Sequence, residues 1–234
     1  MTVRVSIEGD VATIALDRPE VRNALNFEMC EALVAAVQQV APARVVFVQG
    51  NGPVFCGGAD LNERKGKSED WIKARRLKAF AAYGALEKLS MPCIALVHGA
   101  VIGSGVEIAA ACDFIVATPD AIFRTPEAQR GTVGATQRLP RILGKRLAKD
   151  LMFTGRDLGA EDAKQAGLVT RIVSDLAEEK RKLAEAIVKA PQLTLRLAKM
   201  TIDRGIELDP QGALQAELEA IDEQLAQGQW MGKS

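Results

Sequence analysis

The sequence predicts an α/β protein in which short parallel strands alternate with helices. Continuously apolar runs recur at residues 45–48, 93–97, 114–117 and 168–173, and segments with helical spacing lie between them. A strand that is buried on both faces has no reason to alternate apolar with polar residues, so such runs favour a parallel sheet covered by helices. Glycines follow the first two runs. Because ligands of open α/β sheets collect at the carboxyl ends of strands, we expect the functional site at these glycines.

Two further elements come before the first buried run. Residues 2–16 alternate apolar with polar side chains about Gly9 and Asp10, which predicts a β-hairpin. Asn26 then precedes residues 28–40, whose apolar members recur at helical spacing. Asparagine is a favoured N-cap residue, so we expect a helix to begin there.

Beyond residue 173 the pattern changes to amphipathic helix. These helices lack partner strands, so they are expected to form a layer that packs on the core or on another subunit. We therefore divide the chain into a core at residues 1–175, which carries the site, and a helical region at residues 176–234.

The polar, glycine-containing segment at residues 62–70 predicts a mobile surface loop. Such a loop is either a solvated linker or a lid over the site. Together with Trp71, Phe80 and Tyr83, which follow it in the chain, the loop is expected to supply walls of a pocket.

Composition and charge exclude several classes of function. The chain has 234 residues, of which 48% are hydrophobic, and 30 basic side chains balance 30 acidic ones. Neutral net charge and an aromatic content of 4% argue against a nucleic-acid surface. No apolar run reaches the roughly 18 residues of a membrane span, and no signal-peptide pattern follows Met1. We expect a cytoplasmic globular protein that binds neither nucleic acid nor membranes.

The cysteines and the single histidine limit the chemistry further. Cys30, Cys56, Cys93 and Cys112 lack the short spacing of zinc or redox motifs, and they are expected to be buried as small hydrophobic side chains. His98 is the only histidine, which excludes a histidine-rich metal site, and we expect no metal. Since it ends an apolar run, the favoured role for His98 is a strand-end contact with a backbone carbonyl, in preference to a catalytic triad.

Two glutamates are the strongest candidates for chemistry. Glu107 and Glu127 each follow a turn of small residues, in a stretch too apolar to give a carboxylate much water. Two carboxyl groups in one poorly solvated pocket can take different pKa values and divide the roles of acid and base. The residues alone also allow separate surface or capping roles.

Several short motifs in a fixed order resemble one known family. The motifs are Arg18-Pro19-Glu20-Val21-Arg22-Asn23-Ala24-Leu25-Asn26, Phe55-Cys56-Gly57-Gly58-Ala59-Asp60-Leu61, His98-Gly99-Ala100-Val101-Ile102-Gly103-Ser104-Gly105-Val106-Glu107, Cys112-Asp113, Pro126-Glu127 and Thr136-Gln137-Arg138-Leu139. From about residue 3 to residue 205 the chain is similar to the enoyl-CoA hydratase/isomerase (crotonase) family.

The resemblance implies a fold, a substrate and an assembly. The fold would be a spiral of ββα units followed by a helical trimerisation region. The substrate would be an acyl-CoA thioester of fatty acid metabolism, so that coenzyme A is part of the substrate and no separate cofactor is needed. The assembly would be a homotrimer or a dimer of trimers.

The resemblance also implies roles for individual residues. Glu107 would activate a water for attack at C3, and Glu127, 20 positions further on, would supply the proton to C2. The backbone N–H groups of Ala59 and Ser104 would form an oxyanion hole.

Residues that contact coenzyme A carry over as candidates by the same comparison. They are Val21, Arg22, Gly58, Asp60 and Leu61. The Arg22 side chain either pairs with a phosphate or is a solvated loop arginine.

The sequence departs from the family pattern at three places. Many relatives have glycine at the position of Ser104; serine keeps the N–H donor and adds a hydroxyl. The loop at residues 131–135 is shorter than the family's glycine-rich loop, and residues 229–234 end the chain without the family's final helix and basic tail. We therefore expect enoyl-CoA hydration, with double-bond isomerisation as the nearest alternative and a non-catalytic acyl-CoA-binding or scaffold protein as an alternative of a different class.

Overall fold

A computed structural model describes residues 1–228. The described strands are β1 (Val3–Glu8), β2 (Val11–Leu16), β3 (Val45–Gly50), β4 (Cys93–Val97), β5 (Ala100–Ile102), β6 (Phe114–Ala117), β7 (Ile122–Arg124), β8 (Leu158–Gly159) and β9 (Arg171–Ile172). The described helices are α1 (Phe27–Gln39), α2 (Glu69–Glu87), α3 (Ser104–Ala110), α4 (Arg138–Thr154), α5 (Ala160–Gln165), α6 (Leu176–Lys189), α7 (Gln192–Gly205) and α8 (Pro210–Ala226).

The N-terminal elements form as their sequence patterns predict. Strands β1 and β2 pair antiparallel, from Val3 opposite Leu16 to Glu8 opposite Val11, which confirms the hairpin. Helix α1 is confirmed to within one residue of its predicted bounds, because the Asn26 side chain accepts a hydrogen bond from the N–H of Met29 at 2.9 Å.

The main sheet has the strand order β1-β2-β3-β4-β6-β9, and every pair after the hairpin is parallel. All five residues of β4 are buried, as expected for a strand covered on both faces. The predictions for residues 45–48, 93–97 and 114–117 are confirmed. The prediction of a strand throughout residues 168–173 is wrong, because the strand is only Arg171–Ile172, flanked by N–H bonds from Thr170 and Val173 to β6. Leu168 and Val169 instead bury their side chains in the turn after α5.

A second, three-stranded sheet in the order β5-β7-β8 lies at the carboxyl end of β4. The chain turns at Gly99 from β4 into β5 and then enters α3, which makes one ββα unit. Gly99 has φ +56° in this turn, and a Cβ there would lie 2.7 Å from the carbonyl oxygen of Pro53. This unit carries β5 and α3 to the glycine-rich segment that follows β3.

The C-terminal helices form a separate layer, as the sequence predicts. Helices α7 and α8 pack together through Leu193, Leu197 and Ala220. Their other faces leave large apolar side chains exposed, namely Met200, Ile202, Leu214, Leu218, Ile221 and Leu225. In residues 1–228 no helix is long and apolar enough to cross a membrane. The predicted domain boundary at residue 175 stays a prediction, and residues 229–234 lie outside the described residues.

Candidate active site

Backbone pairing brings the two glycine-rich segments together. Cys56 donates its N–H to Ala100 at 3.1 Å and accepts the N–H of Ile102 at 2.9 Å, so the segment after β3 lies along β5. Helix α3 approaches the same segment closely, because a Cβ on Gly105 would lie 2.6 Å from the carbonyl oxygen of Cys56. Only glycine allows this contact.

Two backbone N–H groups are left free by this arrangement. Within residues 1–228, the N–H groups of Ala59 and Ser104 donate to no protein acceptor. Ala59 is held in place by its neighbours, since Gly58 accepts the N–H of Leu25 and Asp60 donates to the carbonyl of Leu25, both at 2.8 Å. Ser104 begins α3, where the first N–H groups have no partner inside the helix. Both residues line one pocket.

Glu107 lies in the same pocket, on the first turn of α3. Its side chain is buried, and its Oε2 accepts a hydrogen bond from Nη1 of Arg138 at 2.9 Å. Nη2 of Arg138 donates to Glu87 at 2.7 Å. Burial raises the pKa of Glu107, whereas Arg138 opposes the rise.

Glu127 lies after β7 and is enclosed by two glycines. A Cβ on Gly103 would lie 2.6 Å from Oε1 of Glu127, and one on Gly134 would lie 3.0 Å from its Cγ. In the described part of the chain Oε2 is buried without a hydrogen-bond partner. Burial raises the pKa of Glu127, its own backbone N–H opposes this, and the charge of Glu107 raises the pKa further. The structure therefore brings the two predicted glutamates together in unlike surroundings.

The rest of the pocket wall comes from α2 and from the loop before α4. Phe80 and Tyr83 line the pocket, as predicted, together with residues 132–135. Burial raises the pKa of Tyr83, and the nearby Ser104 hydroxyl opposes the rise. The prediction that Trp71 lines the pocket is wrong: Trp71 stacks on Phe27 outside it, with ring centroids 6.1 Å apart.

The residues predicted to bind coenzyme A occupy three kinds of position. Gly58 and Leu61 line the pocket. Val21 and Arg22 lie in an exposed turn, in which the carbonyl of Arg22 accepts the N–H of Gly57 at 2.8 Å. The carboxylate of Asp60 is hydrogen-bonded within the protein, to Arg18 and to Asn62.

Asp60 ties the N-terminal segment to the pocket floor. Its Oδ2 accepts from Nη1 of Arg18 at 3.0 Å, and its Oδ1 accepts the N–H of Asn62 at 3.0 Å. Since the N–H of Asp60 donates to the carbonyl of Leu25, its own backbone carbonyl is the part that remains available to a ligand. The coenzyme A role of all five residues stays a prediction.

The polar segment at residues 62–70 differs from its prediction as a surface loop. Asn62–Arg64 forms a 3-10 turn, Ser68 caps α2 through the N–H of Trp71 at 3.2 Å, and α2 begins at Glu69. Arg64 lines the pocket. The Glu63 side chain connects the segment to α1 and α2, which the polarity of the segment alone does not reveal.

Sequence reasoning missed three residues that hold the pocket. Arg75, on α2, is buried and donates from Nε to Oε1 of Glu63 at 2.6 Å and from Nη2 to the carbonyl of Leu25. Glu63 also accepts the N–H of Phe27, at the start of α1, at 2.7 Å. Asn23 is fully buried. Its amide donates to three carbonyls after β3, those of Asn51, Val54 and Phe55.

His98 and the cysteines take the positions that the sequence predicts. Nε2 of His98 lies 2.8 Å from the carbonyl oxygen of Gly52, which confirms a strand-end contact with the backbone. All four cysteines are buried and free. Burial raises the pKa of the Cys56 thiol to about 12, so this residue is a packing group despite its place beside the pocket.

The fold consists of ββα units arranged in a spiral, followed by a C-terminal helical layer. Its pocket contains two carboxylates and two free N–H groups. Together these features define the class of protein. Residues 6–231 match the model of the enoyl-CoA hydratase/isomerase family. The chain belongs to this family.

Individual relatives agree with the family assignment. The chain is 34% identical over 227 residues to the short-chain-enoyl-CoA hydratase of Clostridium acetobutylicum, which covers 92% of this chain and 86% of the relative. It is 38% identical over 214 residues to the mitochondrial enoyl-CoA hydratase domain-containing protein 2 of Bos taurus, with 85% and 72% covered.

Solved structures confirm the crotonase fold. The enoyl-CoA hydratase of Bacillus anthracis superposes with a TM-score of 0.91 at 34% identity and covers 95% of this chain and 90% of its own. A Thermobifida fusca protein solved in complex with acetoacetyl-CoA superposes with a TM-score of 0.88 at 26% identity, covering 97% of this chain and 95% of its own.

Proposed function

We propose that the protein is an enoyl-CoA hydratase, a lyase that adds water reversibly and in syn geometry to a 2-enoyl-CoA thioester. The observation that carries the proposal is one pocket that contains Glu107, Glu127 and the free N–H groups of Ala59 and Ser104. Two relatives support the substrate class: one is named a short-chain-enoyl-CoA hydratase, and the other was solved with acetoacetyl-CoA.

In the proposed reaction Glu107 is the base. Its ion pair with Arg138 favours the ionised carboxylate against the effect of burial, and in residues 1–228 the other carboxylate oxygen, Oε1, has no hydrogen-bond partner. Glu107 takes one proton from water while the water oxygen bonds to C3 of the substrate. The electrons of the C2=C3 double bond move into the thioester carbonyl, whose oxygen becomes an enolate oxygen.

The N–H groups of Ala59 and Ser104 are proposed to bind that enolate oxygen. Donors that are fixed before the reaction stabilise developing charge without reorganising, and removal of one such donor typically costs about 3 to 4 kcal/mol of transition-state stabilisation. Ser104 also places the positive end of α3 at the oxygen.

Glu127 is proposed as the acid. Burial and the charge of Glu107 raise the pKa of Glu127 and favour its neutral form, whereas its own backbone N–H and the charge of Arg130 oppose the rise. Among the described residues no basic side chain is within ion-pair distance of it. The enolate collapses, the thioester carbonyl re-forms, and C2 takes the proton of Glu127. Glu127 is then ionised and Glu107 is protonated, and exchange with solvent restores both.

Coenzyme A is proposed to lie along the turn of Val21 and Arg22 and across the backbone of residues 58–61. Residues 58–61 include Ala59, and the carbonyl of Arg22 accepts the N–H of Gly57 just before them, so on this path the thioester reaches the pocket while the nucleotide stays outside. Since coenzyme A belongs to the substrate, the proposed reaction needs no further cofactor.

Isomerisation of a 3-enoyl thioester is the second candidate, and one observation favours it. Oε2 of Glu107 is occupied by Arg138, whereas Oε2 of Glu127 is buried without a partner in residues 1–228. An isomerase needs only one base to move a proton between C2 and C4, and Glu127 could serve.

Purified protein incubated with crotonyl-CoA tests the proposal. We expect loss of the enone absorbance and formation of the 3-hydroxyacyl thioester, measured by mass spectrometry. Glu107→Gln and Glu127→Gln should each lower the rate about 100- to 10,000-fold, and Glu8→Gln, an exposed change on β1, should not. Conversion of a 3-enoyl thioester without any hydration identifies an isomerase. Rates that neither glutamine variant alters identify a non-catalytic acyl-CoA-binding protein.

A homotrimer or a dimer of trimers is proposed as the assembly. The exposed apolar faces of α7 and α8 support it, because Ile202 is 64% and Leu214 56% exposed in the single chain. Light scattering coupled to size-exclusion chromatography measures the assembly, and a monomeric mass contradicts it.

A further inference from the structure

We propose that the pocket selects enoyl-CoA thioesters whose acyl chain ends in a carboxylate, and that Arg64 binds this carboxylate. The inference rests on the proposed function, since it assigns the acyl group of that substrate. The residues that carry it are arginines that line the same pocket as the two glutamates.

The geometry separates an acyl side of the cavity from a coenzyme A side. The thioester is placed by the N–H groups of Ala59 and Ser104, and the turn of Val21 and Arg22 does not line the cavity. The remaining space lies between α2 and residues 132–135. An acyl chain that leaves the thioester therefore extends toward this wall.

The acyl side carries more positive charge than the protein neutralises. Arginines at positions 64, 75, 76 and 130 line the cavity. Arg75 is committed to Glu63 and to the carbonyl of Leu25. Among residues 1–228, no carboxylate lies within ion-pair distance of Arg64, Arg76 or Arg130.

Arg64 is the least satisfied of these arginines. It is half-buried, and its Nε is fully buried without a hydrogen-bond acceptor in the described residues. Burial lowers the pKa of Arg64, and the charges of Arg75 and Arg76 lower it further. Glu63, the carboxylate whose charge favours the protonated form, already accepts bonds from Arg75 and from the N–H of Phe27.

Arg76 is a second cavity-lining arginine without a carboxylate partner in the described residues, and it connects two parts of the cavity wall. Its Nη1 donates to the carbonyl of Val133 at 3.2 Å, which links α2 to the loop before α4 across the cavity. The carbonyl carries no formal charge, so the guanidinium stays without a counter-ion. Of the two glutamates of the pocket, Glu107 pairs with Arg138, and Glu127 interacts electrostatically with Arg130 rather than with Arg64 or Arg76.

A terminal carboxylate fits this environment better than a methyl group does. A carboxylate can accept two parallel hydrogen bonds from one guanidinium, in the fork geometry that arginine favours. An alkyl chain against Arg64 would leave a buried donor unpaired, which is unfavourable. A phosphate of coenzyme A has the same anionic chemistry, so the experiment must separate the two sources.

Kinetics with a matched pair of thioesters test the proposal. One substrate is the 2-enoyl-CoA of a five-carbon dicarboxylic acid, and the other is the neutral 2-pentenoyl-CoA. Wild type should show the higher kcat/KM with the dicarboxylic thioester. Arg64→Met should lower that kcat/KM about 10- to 100-fold and change the neutral one less than about 2-fold. Arg64→Lys should lie between, and Lys65→Met, an exposed neighbour that does not line the cavity, should match wild type.

Two kinetic outcomes would overturn the proposal. One is a wild type that prefers the neutral thioester. The other is an equal loss of both kcat/KM values in Arg64→Met together with weaker inhibition by free coenzyme A, which places Arg64 at a coenzyme A phosphate. Circular dichroism and a melting curve establish that each variant is folded.

Binding measurements keep the test valid if no hydration is observed. Calorimetry with the saturated five-carbon dicarboxylic acyl-CoA and with pentanoyl-CoA compares the same two chain ends without chemistry. Tighter binding of the dicarboxylic thioester that depends on Arg64 supports the selection even where the hydratase proposal fails. Equal affinities, unchanged in Arg64→Met, refute the selection independently of catalysis.

Discussion

The two sides of the pocket are built from different parts of the chain. The thioester side is made of backbone: Gly105 lies against the carbonyl of Cys56, and the free N–H groups belong to Ala59 and Ser104. The acyl side is made of long side chains, Arg64 and Phe80 among them. Backbone geometry is tied to the sheets and changes only with the fold, whereas side chains change one at a time. The proposed oxyanion hole is therefore a property of the fold, and the proposed choice of acyl group is a property of α2 and its neighbours.

The largest effect on stability is expected from Arg75, which anchors the acyl side. Arg75→Met leaves the Glu63 carboxylate without its buried partner, which typically costs about 3–5 kcal/mol of folding free energy. Urea denaturation measures this loss. Lys78→Met, on the same helix as Arg75, breaks an exposed pair with Glu31 of α1 and should cost about 1 kcal/mol or less.

A double variant separates the effect of losing the Glu63–Arg75 ion pair from the effect of losing the packing of the Arg75 side chain. Glu63→Gln combined with Arg75→Met removes the unpaired charge and should recover part of the stability. If Arg75→Met alone is as stable as wild type, the acyl side does not depend on this buried pair.

On the thioester side, Gly105→Ala should have the largest effect on activity. The new Cβ would lie 2.6 Å from the carbonyl oxygen of Cys56, so α3 must shift and carry the N–H of Ser104 with it. We expect kcat for crotonyl-CoA to fall about 100-fold. Gly84→Ala is the matched control, because Gly84 is also helical and a Cβ there meets nothing within 4 Å. Equal activity of the two variants would show that the close contact does not position the donor.

Arg138 is expected to have a smaller effect that is visible in the pH profile. Arg138 lowers the pKa of Glu107 against burial, so Arg138→Gln should raise that pKa and keep the base protonated to higher pH. The acid limb of the kcat/KM profile should move to higher pH, and activity at neutral pH should fall about 10-fold. Arg141→Gln, an exposed change on the same helix, should leave the profile in place. An unmoved acid limb would show that Glu107 is not the titrating base.

The smallest expected effect is a gain of thermal stability in Glu127→Gln, a variant that should be nearly inactive. Since burial raises the pKa of Glu127, the folded protein holds this proton more tightly than the unfolded chain does. Wild type therefore loses stability as pH rises from about 4.3, the ordinary value for glutamate, through the raised pKa. Glu127→Gln avoids that loss and should melt about 2–4 °C higher at neutral pH, with the difference vanishing at low pH. Thermal melts from acid to neutral pH measure this, with Glu8→Gln as the control, and a constant difference across that range would contradict it.

Residues whose role leaves a pattern among neighbouring positions could be predicted from the sequence. Residues whose partners are distant in the sequence could not. Continuous apolar runs indicated β3, β4 and β6, and the Asn26 cap indicated α1, because burial and capping leave their mark at neighbouring positions. The 20-position spacing indicated Glu107 and Glu127 only through the family resemblance.

The missed residues depend on distant partners. Arg75 bonds to the carbonyl of Leu25, 50 positions away, and Asn23 bonds to carbonyls about 30 positions away. An arginine on a polar helix face predicts a solvated side chain, because the sequence does not show that Glu63 reaches the same point. For the same reason residues 62–70 were predicted as a loop.

The pairing of Cys56 with β5 has a consequence for how such a protein can diverge. The donors beside it belong to peptide groups, which every amino acid except proline supplies, so most substitutions at Ala59 or Ser104 leave a donor in place. A descendant could exchange either carboxylate or the arginines and still hold an enolate oxygen in the proposed way. The backbone donors, and with them the proposed capacity to bind a thioester oxygen, would thus survive most substitutions. The reaction and the acyl group would change with individual side chains, on which selection can act.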